Sequence, residues 1–172
     1  GLLVHQTEAG EPCTLASWLL KKYPKLKKVG EALGRPGMVH RLDREASGLL
    51  AVAKTQKMFE HLKKQFQERS VVKEYSVLVR GVVKKDFAVI DFEIDRGAGG
   101  RMVARPKTDK LKVKNVDKIQ PGKEAITEFV VEKRFARFTL LKVKIHTGRT
   151  NQIRVHLFAY THPVVGDKLY FN

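Results

Sequence analysis

A change of period near residue 71 limits what this chain can fold into more than any other feature. After it, "VVKEYSVLVRG" places Tyr75, Val77 and Val79 on one face of an extended segment ending at Gly81. "AVIDFEIDRG" alternates Ala88, Ile90, Phe92 and Ile94 inward against Asp91, Glu93 and Asp95 outward. "EAITEFVVEKRF" and "RFTLLKVKIH" predict a hairpin turning at Phe135 to Arg137, and "RMVAR" a further short strand. A period of two belongs to strands with one buried face. Strands that follow one another through short turns pair mainly antiparallel. The predicted class is therefore α+β, with a mixed, largely antiparallel central sheet and flanking helices.

The flanks supply the helices. "TLASWLLKKY" predicts a helix capped by Thr14, with Leu15, Trp18 and Leu19 on one face. A basic loop with Pro24, Gly30, Gly34, Pro36 and Gly37 follows. The unbroken apolar run Leu49 to Ala53 predicts a buried strand. Thr55 then caps a helix to about Glu68, with Met58, Phe59, Leu62 and Phe66 on one face. "RTNQIRVHLFAYT" returns to helical spacing through Ile153, Leu157 and Tyr160, with Thr150 or Asn151 as cap.

Charge narrows the partners. The chain has 34 Lys and Arg against 18 acids, a net charge of +16 in 172 residues. Such a field attracts polyanions, of which nucleic acid is the commonest in cells. No apolar run approaches the ~20 residues of a membrane span. A secretory signal is not visible, and Cys13, the single cysteine, allows no internal disulfide; a reducing intracellular compartment is expected. Residues Lys21 to Lys28, and Arg101 to Lys123 with eight basic residues against two acids, are candidates for a nucleic-acid face.

Two stretches can carry chemistry. In "MVHRLDREASGLL", Asp43 lies between Arg41 and Arg44, which favour its ionised form. On its own, Arg-x-Asp-Arg is far more often a solvated charged loop; its place between a Gly- and Pro-rich loop and a predicted buried strand is what raises the functional reading. In "HTGRTNQIRVH", Arg149 and Arg154 bracket a helix start whose backbone N–H groups favour anions, or they are ordinary surface arginines. The remaining constellations are weaker. His40, His146, His156 and His162 lack metal-ligand spacing, so no metal is expected. Ser47 lacks a nucleophile elbow. "RGAGGR" lacks the phosphate-loop lysine and reads as a turn. Tyr75 is a strand tyrosine whose ring could also face a base.

Taken together, "RPGMVHRLDREASGLLAVAKT", "VVKEYSVLVRG" and "HTGRTNQIRVHLFAYTHPVVGDKLY" resemble the RluA family of pseudouridine synthases. The family's His-Arg-Leu-Asp is here His40-Arg41-Leu42-Asp43, followed by Ala46-Ser47-Gly48 with alanine in place of the usual threonine. Its later Arg-Thr-His-Gln-Ile/Leu-Arg-Val-His is here Arg149 to His156, with Asn151 in place of histidine. The resemblance runs from "GLLVH" to "GDKLY". It implies a catalytic core clipped at both ends, one domain over 1–172 lacking an N-terminal and a C-terminal strand and any S4-type domain.

It also implies a reaction without metal or organic cofactor. A uridine in structured RNA, ribosomal or transfer, loses its glycosidic bond and regains the ribose at C5. Asp43 would be the essential carboxylate and Arg154 the arginine that pairs with it. Tyr75 would stack on the target base, and Arg41 would reach into the RNA where the base has flipped out. Arg149 and Ile153 of the later motif would join the substrate-binding set. A cytoplasmic monomer acting through a basic face, away from membranes, is the expected context. A non-catalytic RNA-binding module of the same fold is the main alternative; a metal-dependent nuclease would need a carboxylate cluster that the sequence does not offer.

Overall fold

The computed structural model describes residues 1–6, 13–32, 34–97, 99–105 and 122–170. The chain divides into two compact units, Gly1–Val71 and Val72–Asn172.

In the first unit, α1 (Leu15–Lys22) starts at a reciprocal cap. The Ser17 N–H donates to Thr14 Oγ1 at 3.2 Å, and the Thr14 N–H donates to Ser17 Oγ at 2.9 Å. Two more first-turn donors are satisfied by the preceding strap: Leu15 N–H reaches Leu3 O and Ala16 N–H reaches Val4 O, both at 2.9 Å. Ala16 and Leu19 are buried, but Trp18, expected on the same face, is 47% exposed. The buried stripe runs through the small Ala16 and leaves the indole outside. The predicted basic loop contains a 3-10 turn, Pro24–Lys28, which buries Leu26 among otherwise exposed lysines.

The predicted strand Leu49 to Ala53 does not form. One antiparallel bridge, Met38 to Val52, stands in its place, and Leu49 is 96% exposed. The reason lies in the partner segment. Antiparallel to that bridge, Leu49 to Ala51 would pair with Val39 to Arg41, and there the Ala51 N–H is taken by the His40 ring and not by a main-chain carbonyl. Helix α2 (Gln56–Gln67) follows, with Thr55 Oγ1 accepting the Met58 N–H. Its apolar face is narrower than expected: Phe59 is buried and Leu62 and Phe66 are half-buried, whereas Met58 is exposed. Leu19, Leu26, Val29, Met38, Ala53 and Phe59 form this unit's core.

The second unit is built on a four-stranded antiparallel sheet in the order β1-β6-β5-β2. Its strands are β1 (Glu74–Arg80), β2 (Phe87–Ile90), β5 (Thr127–Arg134) and β6 (Phe138–Ile145). As expected, β5 and β6 form a hairpin, with a register shift between Val131 and Lys133. Tyr75 faces Val143 and Val77 faces Leu141 across β1 and β6. The alternation from Ala88 to Ile94 holds for burial but spans two sheets. It breaks after β2, and β3 (Glu93–Arg96) pairs instead with β4 (Met102–Arg105). Helix α3 (Gln152–Ala159) seats Leu157 in the core of Val79, Phe129, Leu141 and Val143. Removing that much apolar surface from water contributes about 1.5–3 kcal/mol per large side chain. Every strand pairing among the described residues is antiparallel. Most of the basic segment Arg101 to Lys123, from 106 to 121, lies outside the described residues. No helix among the described residues is long and apolar enough to cross a membrane.

Candidate active site

The Asp43 loop leaves and rejoins its unit through one narrow neck. Gly37 N–H donates to Val29 O at 2.9 Å and Ala53 N–H to Gly37 O at 2.8 Å; the Met38–Val52 bridge lies beside them. Glycine is required at 37, because a Cβ there would fall 2.2 Å from Ala53 O. Within the loop, His40 Nε2 accepts the Ala51 N–H at 2.9 Å, and its ring stacks on Phe66 with centroids 4.8 Å apart. That bond makes Nε2 the unprotonated nitrogen of a neutral ring. A turn closed by Ala46 N–H on Asp43 O, at 3.0 Å, places Asp43 at its start. Asp43 is half-buried and Arg41 and Arg44 are exposed. A cavity of about 90 Å³, lined by His5, Arg35, Met38, Val39, His40 and Arg41, opens beside Arg41.

In the second unit, the turn before α3 is organised by Gln152, which is 3% exposed. Its Oε1 accepts from Thr147 Oγ1 at 2.7 Å and from Arg149 N–H at 3.0 Å. Its Nε2 donates to Ile126 O and Thr127 Oγ1, each at 3.0 Å. The amide therefore uses all four of its hydrogen-bonding positions. The network continues to His156, where Nδ1 lies 2.9 Å from Thr127 Oγ1 and Nε2 lies 2.8 Å from Phe92 O. Only one proton arrangement satisfies every member. Gln152 donates to Thr127, Thr127 donates to Nδ1, and Nε2–H donates to the Phe92 carbonyl. Burial lowers the His156 pKa from its ordinary 6.5, against the raising pull of the Phe92 carbonyl and Asp91.

The same turn holds the arginines. Arg149 Nε donates to Glu124 O at 2.9 Å. Arg154 makes a two-pronged pair with Asp167, Nε to Oδ2 at 2.6 Å and Nη2 to Oδ1 at 2.8 Å. Its Nη1 donates to Asn151 Oδ1 at 2.9 Å, and the guanidinium lies 5.1 Å from the Tyr170 ring centroid. Asp167 also accepts the Leu169 and Tyr170 N–H groups. Arg154 above all, helped by those two N–H groups, lowers the Asp167 pKa to about 2 despite its burial. The result is a cation fixed in orientation.

Of the residues expected from sequence, Arg41 and Asp43 share the loop of the first unit. Tyr75, Arg149, Ile153 and Arg154 belong to the second, where Tyr75 and Ile153 border one apolar cluster. Asn151 occupies the N-cap position of α3 but makes no side-chain cap. Its φ of 54° is a left-handed conformation that asparagine tolerates well, and its side chain holds Arg154 instead. The histidines have structural partners too: His146 meets Glu128, and His162 meets the Arg80 carbonyl. Among the described residues no group of His, Cys, Asp and Glu could hold a metal. Sequence reasoning gave no role to Asp167, Gln152 or Thr147. "GDKLY" was part of the resemblance, yet nothing in its spacing tied Asp167 to an arginine 13 positions earlier.

The family model described as RNA pseudouridylate synthase matches residues 1–159. An uncharacterized RNA pseudouridine synthase of Aquifex aeolicus is 45% identical over 99% of the chain and 50% of its own length. Ribosomal large subunit pseudouridine synthase D of Nitrosomonas europaea is 39% identical over 99% of the chain and 44% of its own length. The chain thus spans about half the length of the curated relatives it matches. Among solved structures, human RNA pseudouridylate synthase domain containing 4 matches with a TM-score of 0.79 at 26% identity, over 100% of the chain and 63% of its own. Its domain containing 1 counterpart gives 0.71 at 29%, over 92% and 60%.

Proposed function

Because the chain belongs to the RNA pseudouridylate synthase family, RluA type, we propose that it isomerises uridine to pseudouridine in structured RNA with Asp43 as the essential carboxylate. The observation that carries this reading is the family match across 1–159, which takes in the whole Asp43 loop. The remaining roles follow the resemblance. Tyr75 takes the target base, and Arg154 is the counter-charge for the carboxylate. Arg41, Arg149 and Ile153 contact the substrate. A half-buried carboxylate flanked by exposed arginines suits a group that must begin the reaction ionised next to a polyanion. The names of several relatives favour large-subunit ribosomal RNA over transfer RNA as substrate. A cytoplasmic monomer that needs no cofactor, and grips RNA through a basic face that includes Lys21 to Lys28, completes the proposal.

The test is tritium release from C5-labelled uridine in bulk RNA, because forming the new carbon–carbon bond expels the C5 hydrogen. Wild-type chain should release label and Asp43→Asn should not. No release by wild type, with RNA binding intact, would leave the RNA-binding module as the reading. Release by Asp43→Asn would remove the carboxylate from the chemistry.

A further inference from the structure

The geometry points to a nucleotide-binding pocket around Tyr23, separate from the Asp43 loop, that grips a single-stranded RNA segment outside the target uridine. This rests on RNA being the substrate. A recess of about 270 Å³ is lined by Lys22, Tyr23, Pro24, Lys25, Leu26 and Lys54. It shares no residue with the cavity beside Arg41. Its floor is apolar and its rim cationic. Leu26 is 2% exposed and Tyr23 is 37% exposed. Lys54 Nζ lies 4.8 Å from the Tyr23 ring centroid and Lys22 Nζ lies 5.7 Å from it. Lys22 also lies 4.9 Å from the exposed Trp18 ring. No acidic residue occurs from Cys13 to Gly30, so among neighbours in sequence the lysines have only aromatic rings to face.

That arrangement matches one ligand chemistry. A nucleotide offers a flat π-face beside a phosphate, and single-strand binders meet it with an aromatic platform flanked by cations. Free phosphate would leave the aromatic floor unused. Duplex would not present a base face.

The pocket is also rigidly coupled to the loop. Leu26 N–H donates to Tyr23 O, Val29 N–H to Leu26 O, Gly37 N–H to Val29 O and Ala53 N–H to Gly37 O. Four successive backbone bonds thus run from the pocket to the neck of the Asp43 loop, and Lys54 directly follows Ala53. A strand held at Tyr23 is held in a fixed register to Asp43.

Trp18 is the only tryptophan in the chain and reports on the site. An oligouridylate of about eight nucleotides should quench its fluorescence, and a duplex of equal length should do so less. Lys22→Gln/Lys54→Gln and Tyr23→Ala should weaken that binding roughly tenfold. The lysine pair should also lower the log–log salt slope by about 1.4, at about 0.7 per phosphate on single strands. On bulk RNA substrate the lysine pair should raise KM roughly tenfold and change kcat less than twofold. Lys57→Gln/Lys64→Gln, with the same loss of charge on α2, should leave KM near wild type. Three results would overturn the pocket: an equal KM rise in both lysine pairs, quenching by poly-glutamate as strong as by oligouridylate, or unchanged binding in Tyr23→Ala. Failure of the enzyme reading looks different, with quenching intact and no tritium released.

Discussion

The loop that carries Asp43 and the turn that carries Arg154 are fixed by opposite means. The loop is held at its neck by main-chain bonds at Gly37 and Ala53, and its interior is tied by His40 to Ala51 and stacked on Phe66. Most of its side chains are exposed. The turn is held from beneath by a buried, fully satisfied network through Thr147, Gln152, Thr127 and His156, and its arginine is clamped by a nearly buried carboxylate. Loss of a side chain in the first should therefore be felt in chemistry, and in the second in stability.

The sharpest test is Asp43→Asn, expected to cut turnover by roughly 1,000-fold, or ~4 kcal/mol of transition-state stabilisation, with the melting temperature unchanged. A large stability loss would make Asp43 structural and collapse the contrast. Asp167→Asn should do the reverse first. It strips the charge that balances a largely buried guanidinium, and about 3 kcal/mol of unfolding free energy should disappear in urea titrations. Gly37→Ala probes the neck. Its positive φ and the Ala53 carbonyl predict a loss of ~2 kcal/mol, with turnover falling as the loop shifts.

A smaller effect is read against pH. His156 is held neutral, with its folded pKa below 6.5, so the unfolded chain binds more protons as pH falls through that value. This contribution should be complete above pH 6.5 and decline as pH falls below it. The depressed Asp167 works in the same direction but lower. Its contribution is complete above about 3.8 and is lost as pH falls toward about 2. Urea unfolding from pH 8 to 5 checks the histidine, whose replacement His156→Asn should flatten the slope, and continuing to pH 2 checks Asp167. Least of all, Leu49→Lys should change stability by under about 0.5 kcal/mol, because the side chain is already in water.

What the sequence made legible follows the same divide. Alternation located β1, β5 and β6, because a buried face imposes its period on the chain. Caps at Thr14 and Thr55 were readable for a local reason, a side chain reaching three residues ahead. Leu49 was misread because an apolar run forms a strand only beside a partner that bonds it main chain to main chain, and past Val52 the Ala51 N–H goes to the His40 ring. In the candidate site, Asp43, Tyr75 and Arg154 are proposed on motif resemblance alone. Asp167 and Gln152 were missed because their partners are set by the fold and not by spacing.

The network beneath α3 has a further consequence. Each hydroxyl in it donates along one line, from Thr147 to Gln152 and from Thr127 to His156, on threonines that are 3% and 0% exposed. Protons so placed trade with water only when the turn opens. The Thr127 and Thr147 hydroxyl hydrogens should therefore persist as separate resonances in a proton NMR spectrum, and their lifetimes would clock the opening of the segment that holds Arg154.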